Sequence, residues 1–198
     1  MPDRRQPVSF DIVLLDASVI VNFCSAGHGR RLASYLGGAA RLSGDAQVEL
    51  LRLARSSPAL RALLATWPLA PPLELSVARA AKAAAICALL RAPGDHPNAH
   101  AGEVATVLLA EQLRDDRGVR ALIVVDDRDG KMLAQRFSLP YRDTPQLIVE
   151  MVVAGALTEA NGQRVWRECF SDRGRWASYR AALAEARSAA AEHEESET

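Results

Sequence analysis

Two apolar runs in this chain end on carboxylates: Ile12 to Leu15 stops at Asp16, and Ala121 to Val125 stops at the pair Asp126–Asp127. A further acid, Glu103, borders the inward face of a helical stretch that opens just after Gly102, and Asp143 precedes the helix signal "TPQLIVEMVV". Short runs of β-branched and leucine residues suit strands buried on both faces, as in a parallel sheet. In such sheets ligands bind beyond the carboxyl ends of the strands, where loops converge and helix N-termini aim their amides. Asp16, Glu103, Asp126, Asp127 and Asp143 are thereby expected at one edge. Carboxylates gathered there repel one another and raise each other's pKa unless a cation neutralises them. Oxygen ligands without a His or Cys cluster select Mg2+ or Mn2+ over zinc. An ion so held lowers the pKa of a bound water and polarises a phosphodiester, giving hydrolysis without a side-chain nucleophile. Ser18, two residues past Asp16, is placed to orient that carboxylate or to bind a metal-linked water.

Each acid also has a purely structural reading. An aspartate after a buried strand is commonly a turn former or a helix cap, and Glu103 would suit the positive end of its own helix dipole. Asp126, Asp127 and Asp129 together could form a solvated turn. The metal site is favoured by the acids jointly, in order and at one predicted edge. Arg128, Lys131, Arg136 and Arg142 surround the last motif and could grip a phosphate backbone, although each alone also reads as an ordinary solvated residue.

Between the two apolar runs lies mostly helix-forming sequence. Residues 46–56 repeat apolar positions at helical spacing, and residues 59–67 continue the pattern up to Pro68. Residues 69–77 read as a short strand or an extended connector, and residues 78–92 as an alanine-rich helix. The stretch 93–102 is a loop by its Pro, Gly, Asp and Asn content. Helical period resumes at Glu103, with Val104, Val107, Leu108 and Ala110 turned inward. After the 121–127 strand come a short helix over 128–137, an extended piece over 138–143, and an apolar helix over 144–157 with Thr144 as its N-cap and Pro145 at its first position. Strands alternating with helices indicate an α/β fold with a mainly parallel sheet. Beyond Thr158 branched aliphatic residues become scarce, and Trp166, Phe170, Trp176 and Tyr179 read as packing for C-terminal helices whose acidic end frays.

The totals exclude several classes. With 198 residues, 49% of them hydrophobic and 24% charged, the chain suits one sizeable core with a tail. Its formal charge is zero, so nucleic-acid binding would need a local basic patch. Cys24, Cys87 and Cys169 are odd in number and lack CxxC spacing, which argues against a disulfide framework or zinc knuckle and for a reducing, cytoplasmic setting. Asp16 interrupts the N-terminal apolar run, so neither a signal peptide nor a membrane span is expected. His96 and His100 lack a third soft ligand, and Pro97 opposes a helical pair, so a zinc site is not favoured; a loop histidine near Glu103 could still touch substrate. No GxxxxGK[ST] or GxGxxG phosphate loop is present.

"LLDASVIVNF", "HAGEVATVLLA" and "VVDDRDGKMLA", in that order, resemble the acidic motifs of the PIN-domain ribonucleases, the group that includes VapC-type toxins of bacterial toxin–antitoxin pairs. The resemblance covers roughly residues 11–157, although residues 24–100 align with nothing recognisable. It implies a three-layer α/β/α sandwich with a mainly parallel central sheet and a nuclease domain over 1–157; residues 158–198 read as an additional helical C-terminal extension outside the resemblance. It further implies Mg2+- or Mn2+-dependent endoribonuclease activity, RNA as substrate, a homodimer and an antitoxin partner. The catalytic acids carry over to Asp16, Glu103 and Asp127, with Asp126 and Asp143 as further metal candidates and Ser18 at the small hydroxyl position. Arg128, Lys131 and Arg142 are the RNA-contact candidates. The apolar helix over 145–157 and the aromatic tail are the expected partner surface. The alternative within the same fold is a catalytically weak module that binds RNA or a protein. A response-regulator receiver or a haloacid-dehalogenase-type phosphatase fits less well: no apolar strand with a lysine beyond it follows Asp127, and Ser18 stands where the phosphatase needs a second aspartate.

Overall fold

The computed structural model describes residues 10–67, 69–170 and 175–196. Pro68, residues 171–174, the basic N-terminus over 1–9 and residues 197–198 lie outside the described residues, as do the side chains of residues 175–177, Trp176 among them, and of the acidic stretch 192–196. Four strands form one sheet: β1 (Ile12–Leu15), β2 (Ala40–Arg41), β3 (Ala121–Val124) and β4 (Tyr141–Arg142). Their order is β2-β1-β3-β4 and every pairing is parallel. β1 and β3 sit at the centre, with Ile12 opposite Ala121 and Leu15 opposite Val124. Parallel neighbours need crossovers, and the helices supply them: α1 (Ala17–Ser25), α2 (Gly29–Leu36), α3 (Gly44–Ala54), α4 (Pro58–Thr66), α5 (Val77–Leu90) and α6 (Ala101–Arg117) lie between β1 and β3. α7 (Arg128–Arg136) joins β3 to β4, and α8 (Thr144–Val153), α9 (Glu159–Cys169) and α10 (Arg175–Ser196) complete the chain.

The pleat divides the central strands between two cores. Val13, Leu15, Leu122 and Val124 pack with α1, α2, α4 and α8 on one face. Leu14, Ala121 and Ile123 pack with Val107, Leu109, Ala110 and Leu113 of α6 and Ala134 of α7 on the other. α5 covers α6 through Cys87 against Val104 and Leu108, and its Arg79 and Lys82 reach the buried Glu111 of α6. The result is a three-layer α/β/α arrangement with a parallel central sheet and C-terminal helices, as in a generic PIN-like topology. Among the described residues no helix is long and apolar enough to cross a membrane.

Two local readings change. β2 was not expected: two residues, Ala40 and Arg41, are too few to carry a periodic signal, and only their pairing with Val13 and Leu14 makes them a strand. The N-cap of α8 is Asp143, not Thr144. The reason is a competing acceptor, since the Thr144 backbone N–H and hydroxyl both donate to Asp126, at 2.7 and 2.6 Å. Asp143 then caps one residue earlier and closes a capping box with Gln146.

α8 is apolar because it is enclosed within the chain. Leu147, Ile148, Val149, Met151 and Val152 are buried, and α9 and α10 close over it with Val165, Trp166, Tyr179 and Leu183 in the same core. Trp166 meets Phe170 and Tyr179 edge-on, at ring separations of 5.7 and 5.3 Å. The closest approach is at Gly162, where a Cβ would lie 2.5 Å from Val152 Cγ2 and 2.8 Å from Tyr179 Oη. Gly162→Ala therefore overpacks the α8–α9–α10 junction and is expected to cost about 1–3 kcal/mol, read as a lower midpoint in thermal unfolding. An unchanged midpoint would show that the three helices are not close-packed there.

Candidate metal centre

Helices α1, α7 and α6 begin at the carboxyl edge of the sheet and bring Asp16, Asp127 and Glu103. Asp16 leaves β1 and caps α1; its Oδ2 accepts from the Ser18 backbone N–H at 3.2 Å and from the Ser18 hydroxyl. Asp127 follows β3 and caps α7; its Oδ1 accepts from the N–H groups of Asp129 and Gly130, at 2.7 and 3.4 Å. Glu103 lies in the first turn of α6. Helix N-termini favour negative charge by about 0.3–1 kcal/mol each, which partly offsets the repulsion of assembling these groups. Capping also fixes rotamers. One oxygen of Asp16 and one of Asp127 are held by helix amides, so the position of the other oxygen in each is determined.

That other oxygen of Asp16 is anomalous. Asp16 is only 4% exposed, yet its Oδ1 has no hydrogen-bond partner. It lies 3.5 Å from the point a Cβ on Gly102 would occupy, and Glu49 Oε2 lies 3.2 Å from the same point. Gly102 thus lets the first turn of α6 approach β1 and α3 closely enough to bring two carboxylates over one backbone position. A buried polar atom left unpaired costs about 1–3 kcal/mol.

The electrostatics follow from this crowding. The pKa of Asp16 is raised, chiefly by burial and also by the charge of Asp126, against the lowering effect of its Ser18 hydrogen bonds. Glu49 is raised by burial and then by Asp16. Glu103 is raised by burial and by the charges of Asp16, Asp127 and Glu49. Glu103 thus senses Asp16, Asp127 and Glu49 together. On the open side it joins His100 and Asp127, and one ligand atom from each of these three lies within 4.8 Å of the others. Such a cluster is capable of holding a divalent metal ion.

The remaining candidates are placed differently. Asp126 accepts three hydrogen bonds, from Asn22 Nδ2 at 2.9 Å and from the N–H and hydroxyl of Thr144, so both its oxygens are engaged. Asp143 caps α8 through Oδ1 and faces Lys131 through Oδ2 at 3.5 Å. Arg142 pairs with Glu150, and Arg128 is exposed at the start of α7. His96 Nδ1 accepts from the Asn98 N–H and is not part of the cluster.

Glu49 and His100 were not expected as site residues. Glu49 sits mid-helix in "AQVELLRLARS", where a glutamate reads as solvated surface; only the packing of α3 against α6 brings it to Asp16. His100 was weighed as half of a zinc pair with His96 and as a loop histidine near Glu103 that could touch substrate, but not as a ligand beside the acids. Its position three residues before Glu103, at the mouth of α6, was the better signal. No family model, curated protein or solved structure matches the chain.

Proposed function

We propose that this chain is a metal-dependent endoribonuclease of the PIN type, hydrolysing RNA phosphodiester bonds at the carboxyl edge of its sheet. The observation that carries the reading is the buried, unpartnered Oδ1 of Asp16 beside Glu49 and the Glu103 group. Protein interiors rarely leave such an atom without a partner, and a divalent cation is the partner that also relieves the mutual repulsion of the acids. Asp16, Glu49, Glu103 and Asp127 are the residues that would hold it. A bound Mg2+ or Mn2+ supplies an activated water and polarises the phosphodiester.

The chain's own residues do the positioning. Ser18 holds Asp16 in one rotamer, the amides of α7 hold Asp127, and Asp126 ties the end of β3 to α1 and α8 through Asn22 and Thr144. Arg128, next to Asp127 and exposed, would meet a phosphate, while Lys131 and Arg142 would exchange their present carboxylate partners for the RNA backbone. A toxin with a cognate antitoxin, acting as a homodimer, is the physiological setting we infer from the motif resemblance. Because the apolar side of α8 is covered by α9 and α10, a partner would engage another surface.

The test is cleavage of end-labelled RNA oligonucleotides by the purified protein. Cutting that stops in EDTA and returns with Mn2+ or Mg2+ is expected. RNA that is retained but never cut, at saturating metal, would replace the nuclease with a binding module of the same fold.

A further inference from the structure

The carboxylates do not form one uniform set. Asp16 and Glu49 converge over Gly102 in the interior, whereas the three groups whose ligand atoms fall within 4.8 Å of one another are Glu103, Asp127 and an imidazole, that of His100. We propose that the outer group is a mixed nitrogen–oxygen metal position at which His100 is a ligand, so that the site prefers a first-row transition ion such as Mn2+ to Mg2+. This rests on the reading that the acids hold a divalent ion and specifies which ion they hold.

The chemistry of the donors supports it. Mg2+ takes oxygen ligands and keeps much of its water, whereas imidazole binds transition ions well. The His100 side chain also does not cap its helix. The residue occupies the N-cap position of α6, where Ser, Thr, Asp or Asn would cap the helix, and its side chain makes no cap hydrogen bond. Asp129 Oδ2 stands 3.9 Å from His100 Nδ1, a carboxylate beside the imidazole but beyond hydrogen-bond distance. The unpaired Oδ1 of Asp16 is the independent sign that the neighbourhood is built around a cation.

The experiment is Mn2+ binding to the full chain, followed by calorimetry and by pulsed electron paramagnetic resonance, which detects a 14N nucleus bonded to the ion. His100 has φ 65°, a left-handed conformation that asparagine tolerates, so His100→Asn preserves the backbone; His100→Ala is the second variant. Imidazole 14N modulation is expected in the wild type and absent from both variants. Mn2+ affinity should fall by about 10- to 100-fold, on the scale of metal-site substitutions, with Mg2+ affinity little changed. Tight Mn2+ binding without 14N modulation would overturn the role of His100 and leave the acidic site standing. No Mn2+ binding at all would overturn both.

Discussion

Asp16→Asn is expected to abolish metal binding and lower RNA cleavage by about a hundred- to a thousand-fold or more, the scale on which loss of a preorganised electrostatic group is felt, while leaving the metal-free protein at least as stable as the wild type. The two halves of this result have separate causes. Asparagine caps a helix about as well as aspartate, so α1 keeps its start. The substitution removes a charge that burial and the nearby Asp126 already disfavour. In EDTA the wild type carries the raised carboxyls of Asp16, Glu49 and Glu103. A carboxyl whose folded pKa lies above its unfolded value contributes stability that is fully present below the unfolded value and is lost as pH rises through the folded one. The melting temperature of the chelated wild type should therefore fall as pH rises from about 4 toward neutrality. Asp16→Asn should flatten that fall, and added Mn2+ should reverse it for the wild type alone. A chelated wild type whose stability rises steadily over that interval, or a variant that still gains stability from Mn2+, would contradict the account.

Asp126→Ala should behave in the opposite way, with a large loss of stability whether or not metal is present. Its carboxylate is the common acceptor for Asn22 on α1 and for both donors of Thr144 on α8, and Thr144 is fully buried. Removing the acceptor leaves buried donors unpaired and unties β3 from two helices, for about 3–5 kcal/mol and a fall in melting temperature of roughly 10 °C for a chain of this size. Asp126→Asn should recover part of this, because its carbonyl can still accept from the Thr144 N–H. If Asp126→Ala instead melted like the wild type but lost its response to Mn2+, Asp126 would be a ligand and not a strut.

The parts of this molecule legible in its sequence were those written in uninterrupted local pattern. β1 and β3 are apolar on both faces because helices cover both, so each reads as a solid hydrophobic run; the acids that end them stand at the sheet edge for the same reason. The helix containing Glu103 was readable from the buried positions Val104, Val107, Leu108 and Ala110. Two things were not local. β2 exists only through its pairing with β1. Glu49 depends on the angle at which α3 meets α6 and on the absence of a side chain at Gly102, a tertiary property that no spacing within α3 encodes. The structural and functional readings of Asp16 and Asp127 also prove compatible: each caps a helix with one oxygen and presents the other.

The central β1–β3 pairing joins Ile12 to Ala121, and the acids of the cluster are scattered from position 16 to position 127. Closing a contact of such long range is slow, and it cannot begin until the residues of β3 have been made. A ribosome making this chain therefore carries no assembled acidic centre until β3 has emerged and docked against β1.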